Sequence, residues 1–191
     1  MSRSFTTSLA AVISGEGDST RGAGCGMPDM VDELPVRVQV GGQVVEWMLI
    51  IQGDGPWALT LRSPSGVECS AQGDDVFDAL RTMRTELAPR GVKICCSGAR
   101  KDVRPSGFSA SHGAWMIYVL PMWRPPTVRD LVSTFGYCKP GLVSSVEEQD
   151  AYWERYLANR NRWFNFINPV WWAYFLTASW GKPKFREEGL S

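Results

Sequence analysis

The stretch 74–107 constrains this chain more than any other. Val76, Phe77, Leu80, Met83 and Leu87 recur at helical spacing and make one apolar stripe, with Asp78, Arg81, Arg84 and Glu86 facing away. Asp74 or Asp75 can cap the first free amides, where a negative charge also suits the helix dipole. Pro89 and Gly91 end the helix, with Arg90 close to its carbonyl end. Residues 92–96, Val-Lys-Ile-Cys-Cys, are short, apolar and bounded by glycines, which predicts a buried strand. One amphipathic helix between strand-forming segments must cover a sheet.

The preceding residues supply that sheet. Val36, Val38 and Val40 alternate with Arg37 and Gln39, the pattern of a half-buried strand, and Gly41-Gly42 reads as a two-residue hairpin turn. Strands are predicted over 44–51, 57–61 and 67–71, separated by Gly53-Asp-Gly-Pro56 and Pro64-Ser-Gly66. Short connections favour pairing of sequential strands. The expected fold is therefore α+β: an antiparallel sheet of about five or six strands with one central helix packed on a face, plus a C-terminal helical, aromatic-rich extension.

After the strand comes a charged loop in which Arg100, Lys101 and Arg104 stand against a single acid, Asp102, and Pro105-Ser-Gly107 supplies turn chemistry. Residues 114–120 then read as a further strand, rich in aromatic and β-branched side chains. The run Gly98-Ala99-Arg100-x-Asp102-Val103-x-Pro105-Ser106-Gly107 after an apolar strand resembles a motif of an uncharacterised family of small bacterial proteins. The likeness covers about 76–156, including Phe135-Gly-Tyr137 and the acidic start of the helix that follows. The resemblance implies a shared fold and a bacterial source, and it attaches no activity.

Further on, Pro121-Met-Trp-Arg-Pro-Pro126 breaks regular structure, and a short helix is predicted over 128–135 with Thr127 as its cap. Ser144-x-x-Glu147 and Ser145-x-x-Glu148 both match the capping box, so a helix should start near Val146 and run to about 167, where Pro169 interferes. The expected division is a flexible arm over 1–33, rich in Gly, Ser and Thr, an α+β domain over 34–142, and a helical extension over 143–191. The N-terminal apolar run is too broken for a signal peptide, which points to a cytoplasmic protein.

Charge and cysteine usage narrow the function classes. The formal charge is zero, so no global field favours nucleic acid or an anionic lipid surface. Five scattered cysteines, no C-x-x-C and one histidine leave no standard zinc box, so neither a metal nor a cofactor is expected. Adjacent Cys95 and Cys96 should point to opposite faces of a strand, and reduced thiols suit a cytosolic chain.

Three sets of residues carry candidate chemistry. Cys95 or Cys96 could be a nucleophile with His112 as its base, although a strand cysteine is more often a small buried hydrophobe. The loop carrying Arg100, Lys101, Asp102 and Arg104 could bind an anion or a partner; the bland alternative is a solvated turn with its own ion pairs. Trp163, Trp171, Trp172, Tyr174 and Trp180 lie in an aromatic tail that could pack on the domain, meet a partner or touch a membrane surface. Asn165, Asn168 and Pro169 spoil it as a transmembrane span. Together these features point to a non-catalytic bacterial accessory or immunity-type protein that binds a protein partner. The alternative is a small cysteine-dependent or anion-binding enzyme using Cys95 or Cys96, His112 and Arg100.

Overall fold

In the computed structural model, the structure describes residues 31–53 and 55–160, together with Pro169, Trp172, Ala173 and Leu176. Five antiparallel strands form the main sheet: β1 (Val31–Val40), β2 (Gln43–Gln52), β3 (Trp57–Arg62), β4 (Glu68–Gly73) and β5 (Val92–Ile94). Their spatial order is β4-β3-β2-β1-β5, so the first four form the expected meander, and the chain crosses to the far edge only after the helix. Gly41 and Gly42 both have positive φ (57° and 86°), as a type I′ turn requires, and this sets the register Val40↔Gln43.

That register decides which side chains are inside. Val36, Val38, Leu49, Ile51, Leu59, Leu61, Cys69, Ala71 and Ile94 share one face and are buried. Glu33, Arg37, Glu46, Arg62, Glu68 and Lys93 lie on the opposite, water-facing side. Helix α1 (Val76–Leu87) lies across β3 and β4 and closes the buried face. Asp75 is its N-cap, accepting from the Asp78 amide at 2.8 Å. Val76, Phe77, Leu80, Met83 and Leu87 are all buried, and each contributes roughly 1.5–3 kcal/mol of apolar transfer, taken as an upper bound. Gly73 has to be glycine-sized, because a Cβ there would collide with the backbone of Asp78 and Ala79.

The second half of the domain departs from the expected single sheet. Residues 116–119 do form a strand, β7 (Met116–Val119), but it pairs with β6 (Val103–Arg104) and β8 (Leu131–Ser133) in a separate three-stranded sheet. The helix predicted over 128–135 is reduced to one 3₁₀ turn, Val128–Asp130. Thr127 and Asp130 do form its capping box, but Leu131, Val132 and Ser133 then pair with Tyr118, Ile117 and Met116. Three ladder pairs and the β-branched Val132 outweigh one or two further helical turns. A short helix, α2 (Gly107–Ala110), capped by Ser106, sits where only a turn was expected. Helix α3 (Val146–Arg160) starts as the capping box foretold, with Ser145 and Glu148 exchanging bonds at 2.9 and 3.2 Å.

Candidate functional site

The glycine-arginine loop, 98–107, turns out to be held from every side. Arg84 is the centre of the arrangement. Sequence pattern placed it on the solvent face of α1, but it is only 7% exposed. Its guanidinium donates to the carbonyls of Gly98 (3.3 Å), Ala99 (3.3 Å) and Ser144 (2.6 Å) and to Gln149 Oε1 (3.1 Å). Gln149, fully buried on α3, donates from Nε2 to the carbonyls of Gly98 (3.2 Å) and Arg100 (2.7 Å). A buried arginine here faces carbonyl dipoles instead of a carboxylate, and burial lowers its pKa from the usual arginine value. Gly98 must be small as well: an added Cβ would lie 2.6 Å from Leu80 Cδ2.

Apart from Lys101, the charged residues of the loop are spent on one another or on α3. Arg100 forks onto Asp102, Nε to Oδ1 at 2.9 Å and Nη2 to Oδ2 at 2.7 Å. Arg104 pairs with Asp150, which also takes Arg81 at 2.7 Å, and its guanidinium lies 5.6 Å from the Trp153 ring centre. Burial and the nearby Arg81 lower the Arg104 pKa, against the favourable Asp150. Lys101 is exposed. This is a brace, in which one helix arginine, one glutamine and two ion-paired arginines fix the loop between α1 and α3.

The enzymatic alternative needs a thiolate beside an imidazole. Burial pushes the Cys96 thiol up to about 12, against the partial relief given by Arg84, and also raises Cys95. His112 is exposed on the turn after α2, where its Nδ1 meets the Phe108 carbonyl at 2.8 Å and its ring stacks on Phe108. Among the described residues, neither sulfur hydrogen-bonds to His112. Cys95 Sγ instead makes a weak 3.8 Å contact with the Lys93 carbonyl. A cavity of about 560 Å³ lies between the end of α1, β5 and the start of α3, with Arg84, Lys93, Ser144 and Glu147 among its lining residues, but without Cys95, Cys96, Arg100 or His112. No cluster of three metal-ligating side chains occurs among the described residues.

Of the aromatic tail, Trp172 is described; its backbone is helical and its side chain is exposed. Trp163, Trp171, Tyr174 and Trp180, and the predicted end of the long helix near 167, lie outside the described residues. Among the described residues no helix is long and apolar enough to cross a membrane.

Sequence reasoning did not anticipate a feature of the β1–β2 hairpin. Both strands are ten residues long, but β3 pairs with β2 only from Met48 to Gln52. Given the register, the N–H and C=O of Val44 and Glu46 point away from β1, where no strand among the described residues meets them. Val44, Val45 and Met48 beside them are 43%, 39% and 38% exposed. The equivalent outer edge of β1 is blunted by Pro35, which has no N–H to offer. No protein-family model and no curated protein matches the chain.

Proposed function

We propose that this chain is a non-catalytic binding module, of accessory or immunity type, that takes an extended segment of a protein partner onto the open edge of β2. The observation that carries this reading is the hairpin step. Among the described residues no strand pairs with the two N–H and two C=O groups at Val44 and Glu46, which lie beside exposed valines and a methionine on an edge without proline or lysine. Strand addition satisfies such an edge through main-chain bonds and draws its specificity from side chains on alternate positions. Four main-chain bonds are worth about 1 kcal/mol each, so burial of Val44, Val45 and Met48 must supply much of the remainder. The bracing of the motif loop supports the same reading, since its arginines serve the fold. The exposed Trp172 and Leu176 offer a second apolar contact to the same partner.

The test is a double substitution, Val44→Lys with Val45→Lys. Both sites are exposed, so the free protein should melt within about a degree or two of wild type. Affinity for a partner isolated from the native host should fall at least tenfold. Unaltered affinity with an unaltered melt would remove the edge from the account. Rapid thiol chemistry at neutral pH that is lost in His112→Ala would favour the enzyme instead.

A further inference from the structure

Cys95 and Cys138 stand directly opposite each other across two antiparallel segments. Cys96 and Tyr137 form an antiparallel bridge, flanked by Ser97 N–H to the Gly136 carbonyl (2.7 Å) and Cys138 N–H to the Cys95 carbonyl (3.1 Å). That bonding pattern makes Cys96 and Tyr137 the close pair and places Cys138 against Cys95 one step along. Opposed residues send their side chains to one face, with Cα atoms about 5.5 Å apart. A disulfide spans Cα separations of roughly 4.4–6.8 Å.

The burial pattern agrees with this placement. Cys96 belongs to the main hydrophobic core, whereas Cys95 and Cys138 do not, as expected if they share the other face. Burial raises the Cys138 thiol pKa; Arg100 opposes that shift, while Cys95 and Asp102 reinforce it, and Cys138 in turn raises Cys96, so it is the shared face and not the charge that pairs Cys138 with Cys95. Cys69, by contrast, is on β4 beside Glu86, 3.6 Å away. Cys138 makes only weak sulfur contacts, to the Lys139 carbonyl at 3.4 Å, so a χ1 rotation at either cysteine breaks no strong bond.

We propose that Cys95 and Cys138 form a dithiol site that low-molecular-weight disulfides, such as oxidised glutathione, convert to an intramolecular disulfide. Cys138, the less buried of the two at 5% exposed against 1% for Cys95, reacts first. Its thiolate attacks one sulfur of the small disulfide, forms a mixed disulfide and expels one small thiolate. The Cys95 thiolate then attacks Cys138 Sγ, forms the internal bond and expels the second. Two protein thiols are oxidised, one small disulfide is reduced to two thiols, and the two protons leave with them. The bond ties the exit of β5 to the segment whose Thr134 carbonyl holds the Gly98 amide at 2.8 Å. Oxidation therefore locks the braced loop in place.

The test uses the folded full-length chain, incubated with oxidised glutathione at about pH 8.5, where a larger fraction of each thiol is ionised. Alkylation and peptide mapping follow, with fragmentation between Cys95 and Cys96 to assign the sulfur. The expected product is a Cys95–Cys138 cross-link lighter than the reduced chain by two hydrogens, reversed by dithiothreitol, with a raised melting temperature. Cys95→Ser should instead retain glutathione on Cys138, which reports the intermediate even if that variant is less stable. A cross-link through Cys96 or Cys69, or both thiols alkylated in full after the incubation, would overturn the proposal.

Discussion

Replacing Arg84 by methionine keeps the length and the apolar stem of the side chain but removes every donor. Four acceptors are affected, though unequally. The Gly98 carbonyl keeps Gln149 Nε2, and the Ala99 carbonyl keeps the Ser144 amide at 3.0 Å. The Ser144 carbonyl and Gln149 Oε1 lose the donor that holds them. An orphaned buried acceptor costs about 1–3 kcal/mol, so two cost roughly 2–6 kcal/mol, less whatever a water entering the site recovers. For a domain of this size that corresponds to a fall in melting temperature of about 4–24 °C. Urea titration followed by tryptophan fluorescence should show the same loss as a lower midpoint at unchanged slope. Arg84→Lys should recover less than half, because one ammonium cannot reach acceptors arranged for a planar fork. A melt for Arg84→Met within about 2 °C of wild type would refute the view that this arginine holds the loop between the two helices.

Other consequences follow from the same contacts. Burial alone would raise the Asp130 pKa, but the Arg124 fork (2.7 Å) and the Thr127 amide and hydroxyl outweigh it and hold the carboxylate below its usual value. Its stabilisation is thus present above the unfolded pKa of about 3.9 and lost as pH falls through the lower folded value; the stability gap between wild type and Asp130→Asn should close below about pH 4. A gap of constant size in acid melts would contradict that. Gly98→Ala should cost about 1–3 kcal/mol, since the new methyl meets Leu80 and Thr134, and denaturant titration measures it. Under native conditions at neutral pH, a thiol reagent should modify Cys96 only at the rate of unfolding, and faster labelling would mean its thiol is not held as burial implies.

The parts of this fold that were legible in sequence are those fixed locally. The stripe of α1, its aspartate cap, the Gly41-Gly42 turn and the serine–glutamate box of α3 each depend on a few neighbouring residues, and each stands where it was expected. What the sequence concealed depends on partners distant along the chain. Val128 and the residues after it look helical in isolation, and only pairing with β7 makes Leu131–Ser133 a strand. Arg84 follows Leu80 by four and precedes Leu87 by three, so it sits on the margin of the stripe, where a charged residue can turn inward if carbonyls await it. The available signal was Gln149, a polar residue on the inner side of α3, but nothing in one sequence joins it to a helix sixty-five positions earlier. The loop arginines are similar. Their type suggested a ligand, whereas Asp102 and Asp150 answer them within the chain.

The most direct test of the central claim is amide hydrogen exchange at the hairpin step, residue by residue. In the free protein, Val44 and Glu46 should exchange fast, because their N–H groups face outward, while Val45 and Trp47, paired with Val38 and Val36, should be slow. Adding the partner should slow Val44 and Glu46 and leave Lys93, on the distant edge strand, unchanged. Amides of Val44 and Glu46 that stay unprotected in the complex would contradict strand addition at this edge.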